Sequence, residues 1–126
     1  MKAIILVFIG GGIGSVLRYA TSLALKNTAY SNLFPWSTFM VNILGSFLIG
    51  FLTCLALKNA LNPDLRLLLI VGLCGGFTTF STFANESLIL LKDHSYITFL
   101  AYTVLSISLG ILAVALGNQL GEHFNS

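Results

Sequence analysis

Apolar residues run through this chain in four long blocks, at residues 2–25, 35–57, 65–91 and 96–120. Each is near or above the roughly 20 residues that cross the hydrocarbon core of a bilayer. Between them lie short polar connectors, KNTAYSNLF, KNALNPD and KDHS. Pro35 suits the first turn of a helix, and Asn62-Pro63-Asp64 stops one helix and starts the next. The pattern predicts an all-α membrane protein, a single domain over residues 1–126 with four transmembrane helices. No connector is long enough to separate domains.

The third block breaks this pattern at its middle, where residues 72–83 read GLCGGFTTFSTF. Glycine disfavours helix by about 1 kcal/mol relative to alanine. Two glycines beside β-branched threonines predict a break at Gly75-Gly76-Phe77-Thr78, near the membrane centre. Unwound backbone at that depth is tolerated only where protein or a polar cavity satisfies it. Such a break supplies carbonyls for a cation or amide N–H groups for an anion. Phe80 and Phe83 share one face after the break, with Thr79, Ser81 and Thr82 around the same turn. Aromatic rings have positive edges and hydroxyls donate, so these residues suit a dehydrated anion. Two phenylalanines at i, i+3 equally suit helix packing.

Polar stripes mark the other blocks. Gly10, Gly14 and Arg18 share a face, as do Gly11 and Ser15, a spacing that lets backbones approach closely. Arg18 either snorkels to the interface or lines an aqueous vestibule that concentrates anions. Asn42, Ser46 and Gly50 form a second stripe. The Asn42 amide, buried in the helix, needs a partner; that partner is another helix or a permeating anion. Tyr102, Ser106 and Gly110 make either a polar track or a packing seam. Glu86, near the end of the third block, would oppose anions if ionised in their path, and is read as interfacial or hydrogen-bonded.

Composition agrees with the membrane reading. Of the 126 residues 56% are hydrophobic and 8% charged, against about 25% charged in soluble domains. The net charge of +2 comes without the Lys/Arg cluster that nucleic acid requires. Cys54 and Cys74 lie in apolar surroundings without metal-ligand spacing, far from His94 and His123, and read as packing residues. No nucleophile–base pair or catalytic metal set is present, so an enzyme is not expected. Lys2, the first apolar run and Ser22-Leu23-Ala24 resemble a cleaved signal peptide. The length of the run, its glycines and Arg18 favour a retained helix. With four spans, Lys2, Lys58 and Arg66 fall on one side and Arg18, Lys26 and Lys92 on the other. The positive-inside rule needs an excess to fix orientation. A tie is either chance in a chain with few charges or the mark of insertion both ways, which suits an antiparallel dimer.

GGGIGSVLRY, VNILGSFLIG and GLCGGFTTFSTF, in this order, resemble the CrcB/Fluc family of fluoride channels over nearly the whole chain. The third motif is the most specific. The resemblance implies a dual-topology antiparallel homodimer in the bacterial inner membrane, with two fluoride pores. It implies passive, electrodiffusive export of cytoplasmic fluoride that lowers its toxicity. It also implies a structural, non-transported Na+ at the dimer centre, held by backbone carbonyls of Gly75 and Thr78. Phe80 and Phe83 would line the pore with Asn42, and Thr79, Ser81, Thr82 and Ser106 would supply polar groups. Arg18 would be the arginine of the first helix. The family's usual P-x-G-T is here Pro35-Trp36-Ser37-Thr38, which puts the local backbone at the start of the second helix in question. A small proton-coupled multidrug transporter would need a carboxylate in the first helix, and that helix has none. A purely structural assembly subunit leaves the GGFTTFSTF stretch unexplained.

Overall fold

A computed structural model describes residues 1–26 and 34–124. Every regular element among them is helical. Helix α1 is Lys2–Leu25, α2 is Trp36–Leu57 and α3 is the short turn Pro63–Leu65. A π-helical stretch, Arg66–Cys74, leads into α4, Gly75–Phe77, and then come α5, Phe80–Lys92, and α6, Tyr96–Phe124. Four stretches, Lys2–Leu25, Trp36–Leu57, Pro63–Lys92 and Tyr96–Phe124, are long and apolar enough to cross a membrane. The last continues past the expected end at Leu120. Most of the connector KNTAYSNLF, residues 27–33, lies outside the described residues.

The ends of the spans follow from local chemistry. Pro35 occupies the N-cap of α2 rather than its first turn. Asn62 caps α3, its side chain accepting from the Leu65 N–H at 2.8 Å, with Pro63 at the first helical position. Helix α2 closes with Asn59 at φ 58°, Ala60 N–H donating to Leu55 and Asn59 N–H to Ala56. Helix α5 closes the same way: His94 has φ 60°, Ser95 N–H donates to Leu90 and His94 N–H to Leu91. This is the paired arrangement that satisfies a helix's last carbonyls, usually built on glycine. Asparagine tolerates the left-handed region through its short polar side chain.

Two seams hold the helices together, and glycine makes both. Along the first, α1 lies against the π-helical stretch and α4. A Cβ on Gly10 would strike the Leu68 carbonyl oxygen, and one on Gly14 the Leu73 carbonyl oxygen, with Phe77 N at 2.8 Å. On the opposite side a Cβ on Gly72 would come within 2.9 Å of Gly10 Cα. Along the second seam α2 lies against α6: Gly50 abuts the Val114 backbone, and Gly117 abuts the Phe47 carbonyl. Lipid offers no hydrophobic drive for helix association, so close backbone approach and van der Waals packing supply it. An ion pair stands at the same end of each seam. Lys2 and Asp64 meet at 2.7 Å, joining α1 to α3, and Lys58 and Glu122 at 2.7 Å, joining α2 to α6. The interior is small, with Val41, Cys74 and Tyr102 its fully buried larger side chains, while Phe8, Ile97 and Ile111 face outward, as a lipid-facing surface requires.

The glycines of GLCGGF are not where the chain opens. Gly75 is right-handed helical at φ −62°, ψ −37°, and α4 covers Gly75–Phe77. The extended residues are Thr78, at φ −88°, ψ 159°, and Thr79, at φ −153°, ψ 120°. β-Branched threonine favours extended backbone. Gly76 serves packing instead, since a Cβ there would strike the Gly11 carbonyl oxygen of α1.

The seams predict a contrast between neighbouring glycines. Gly14→Ala places a methyl against backbone that cannot move aside and should cost about 1–3 kcal/mol. Gly12→Ala, with nothing within 4 Å of its Cβ, should be neutral or stabilising by up to about 1 kcal/mol. Thermal melting of the two variants in detergent reads the difference; equal midpoints would remove the seam as a source of stability.

Candidate functional site

Two extended residues between helices leave backbone groups without their usual partners, and several of these groups are taken by specific side chains. In an unbroken helix the Thr79 N–H would donate to the Gly75 carbonyl. Here it donates to Asn42 Oδ1 at 2.8 Å. Asn42 Nδ2 in turn donates to the Thr79 carbonyl at 3.1 Å. The carboxamide thus pairs with both polar groups of one residue, which sets its orientation, since an amide N–H only donates and a carbonyl only accepts. The Thr82 N–H, the helical partner of the Thr78 carbonyl, donates instead to Thr79 Oγ1 at 3.2 Å, capping α5. Arg18 Nε donates to the Gly76 carbonyl at 3.0 Å. Thr78 closes the end of α4, its N–H and its Oγ1 both donating to the Cys74 carbonyl, at 3.1 and 3.0 Å.

Gly75 and Thr78, whose helical donors would be the Thr79 and Thr82 N–H groups, are two of the carbonyls so affected, and they are the pair that the family resemblance implied for a cation. Gly75 is exposed, with nothing within 4 Å of where its Cβ would stand. Among the described residues no group of three or more His, Cys, Asp or Glu side chains could hold a metal. A cation here would rest on backbone oxygens, the hard donors that unwound membrane helices offer to Na+.

Beside the extended pair lies a cavity of about 390 Å³. Its lining includes Asn42, Thr78, Thr79, Phe80, Phe83 and Ser106, six of the residues expected at a site. The Phe80 and Phe83 ring centroids are 5.9 Å apart and tilted by 44°. Phe80 is 78% exposed on the subunit surface. Phe83 leans on Tyr102, at 5.0 Å between centroids. The Ser106 hydroxyl is buried, has no hydrogen-bond partner among the described residues and belongs to a residue that lines the cavity. Asn42 spends one N–H of its amide on Thr79 and retains a second.

Other expected residues stand elsewhere. Ser81 is exposed, with Oγ 3.4 Å from Thr79 Oγ1, and Thr82 enters through its backbone N–H; neither lines the cavity. Arg18 approaches the extended pair from the α1 side and ends on a carbonyl. Tyr102 is fully buried, and its hydroxyl donates to Glu86 Oε1 at 3.2 Å, so it supports Phe83 from behind. Glu86 also borders a second cavity of about 240 Å³ with Lys26, Trp36 and Ser37. Gly45, Ser46, Ile49, Cys74 and Ile107 complete the first cavity and were not expected there. Gly45 and Ile49 follow Asn42 at i+3 and i+7, a spacing that reports a shared face. Cys74, read as a packing residue, does pack, being 1% exposed.

A family model described as "CrcB-like protein, Camphor Resistance (CrcB)" matches residues 5–118. The chain belongs to the CrcB family. A relative from Bacteroides fragilis, named fluoride-specific ion channel FluC, is 55% identical over 126 residues, covering 98% of this chain and 99% of that protein. One of the same name from Phocaeicola vulgatus is 52% identical over 122 residues, covering 97% of this chain and all of the relative. A third, from Ignicoccus hospitalis, is 41% identical with 98% of each chain covered.

The Asn42–Thr79 pairing predicts a stability effect separate from any transport role. In this CrcB-family chain Asn42→Ala leaves the Thr79 N–H without its partner and removes one of two donors from the Thr79 carbonyl, which as the N-cap of α5 also accepts the first helical bond; an unsatisfied N–H costs about 1–3 kcal/mol. The melting midpoint should fall accordingly, and exchange of the Thr79 amide proton should accelerate. A variant that melts and exchanges like the native protein would show that the pair carries no weight.

Proposed function

We propose that this chain is the subunit of a fluoride-specific ion channel that lets cytoplasmic fluoride leave by passive electrodiffusion. The observation that carries the reading is the cavity where the Asn42 amide, the Ser106 hydroxyl, Thr79 and the Phe80 and Phe83 rings converge, in a CrcB-family chain whose relatives carry that name. Fluoride is small and strongly hydrated. A path selective for it must replace water with donors, yet bind weakly enough to release. Asn42 N–H and Ser106 O–H are strong donors, and the edges of Phe80 and Phe83 carry weaker positive potential. Hydrogen fluoride enters cells as a neutral molecule and dissociates inside. The membrane potential then drives the anion outward, worth about 2.3 kcal/mol per charge per 100 mV.

In the full reading, two subunits assemble as an antiparallel homodimer, inserted both ways in the bacterial inner membrane, with Thr78–Thr79 as the break of the third helix at the membrane centre. The even split of Lys and Arg between the two sides supports it. So do the exposure of Phe80 and the open space at Gly75, a face without a partner inside the subunit. A structural Na+ fits the diverted Gly75 and Thr78 carbonyls, one set from each subunit. When bound it supplies fixed positive charge between the two breaks.

The test is ion efflux from liposomes holding purified protein, loaded with potassium fluoride or potassium chloride, with valinomycin carrying the counter-charge. Fast fluoride release with chloride retained is expected. Phe80→Ile deletes a ring quadrupole while keeping apolar volume; it should lose flux at least tenfold while the protein stays folded and dimeric. Retention of both ions by native protein in sodium would sink the channel reading, and normal flux through Phe80→Ile would remove the ring edge from it.

A further inference from the structure

Helix α2 meets the extended pair at two points, one turn apart on one face. Asn42 holds the Thr79 peptide. Gly45 faces Thr78, and a Cβ there would strike the Thr78 Cγ2 methyl, with Phe77 Cδ2 at 3.3 Å and Thr78 Cβ at 3.7 Å. We propose that Gly45 is a positioning residue for ion conduction: its missing side chain is the socket for the Thr78 methyl that fixes where the Thr78 carbonyl and the cavity wall stand. The inference rests on the channel reading and adds a residue to it.

The methyl has no inexpensive way to yield. Thr78 Oγ1 is committed to the Cys74 carbonyl at 3.0 Å, and its N–H to the same oxygen at 3.1 Å. Turning χ1 to clear a new methyl at position 45 moves Oγ1 off that acceptor, and β-branching leaves few other rotamers. Shifting the backbone instead pulls Thr79 against its two bonds to Asn42. Asn42 and Gly45 share a rigid helix turn, so pushing at one point loads the other. The Phe77 ring edge lies at a distance that yields by a few tenths of an ångström, so Cγ2 decides the outcome. Gly50 and Gly117, by contrast, face helix backbone on the α2–α6 seam and serve packing alone.

A double-mutant cycle tests this, with fluoride efflux measured per folded, monodisperse protein. Gly45→Ala should lower flux at least tenfold in the native background. Thr78→Ser removes Cγ2 while keeping Oγ1 and the backbone, so in that background the same Gly45→Ala change should cost less than threefold. Equal losses in the two backgrounds, or native-like flux through Gly45→Ala alone, would overturn the inference while leaving the channel reading intact. Native protein that releases no fluoride overturns the channel reading itself. If Thr78→Ser alone abolishes flux, the cycle is read from melting midpoints. The drop on Gly45→Ala should then be at least twice as large in the native background as in the Thr78→Ser one, and equal drops refute the contact.

Discussion

The structure depends on one demand: backbone polar groups away from water must find partners. Two extended residues, Thr78 and Thr79, break the helical ladder and free several groups at once. The answer is assembled from every direction. Asn42 reaches from α2 to both polar groups of Thr79. Arg18 reaches from α1 to the Gly76 carbonyl. The threonines contribute their own hydroxyls, Thr78 to the turn before and Thr79 to the turn after. A chain with 8% charged residues has few long polar side chains to place, and it directs an arginine and an asparagine to one peptide junction.

Those reaches work only because the glycine seams bring the helices close. Gly14, one turn before Arg18, sits against the Leu73–Phe77 backbone, so the guanidinium arrives beside Gly76 rather than in lipid. Gly45, one turn after Asn42, allows α2 to lie on Thr78 closely enough for the carboxamide to pair with the next peptide. Each polar contact is thus coupled to a glycine on its own helix, and stability and site geometry draw on the same positions. The ion pairs Lys2–Asp64 and Lys58–Glu122 sit at the far ends of the seams, where exposed pairs contribute about 0–1 kcal/mol; they close the seams without setting the site.

Hydropathy made the four spans legible, because block length against bilayer thickness is a strong constraint and each block stood apart. The glycine stripe of α1 was legible as packing for the same reason: little else explains small residues four apart in an apolar helix. The chain opening was expected over Gly75–Thr78 and lies at Thr78–Thr79, so the expectation holds at Thr78 and not at the two glycines. Helix propensity penalises Gly75 and Gly76, but propensity does not see that Gly11 of another helix needs the space beside Gly76. The π-helical geometry of Arg66–Cys74 was not legible at all, since RLLLIVGLC composes an α-helix equally well. Ser81 and Thr82 do not line the cavity, because the turn direction after Thr79 decides which hydroxyls face it. That direction is set by the cap Thr79 makes with the Thr82 N–H, a contact that sequence spacing does not order.

Of the two readings that the sequence left open for Asn42, the structural amide is seen in its pairing with Thr79, and that pairing leaves one N–H for the ion-facing one. A carboxamide has two N–H donors and an acceptor oxygen. The Thr79 pair uses one donor and the oxygen, which fixes the plane of the group and leaves one N–H on a residue that lines the cavity. Under the channel reading, that donor meets the ion without first paying rotamer entropy, the advantage that preorganised donors have over flexible ones. A serine at the same place would lose the pairing, and a lysine would bind an anion too tightly to release it. The structural bond and the proposed ion contact therefore require the same side chain, held in the same plane, by the same peptide.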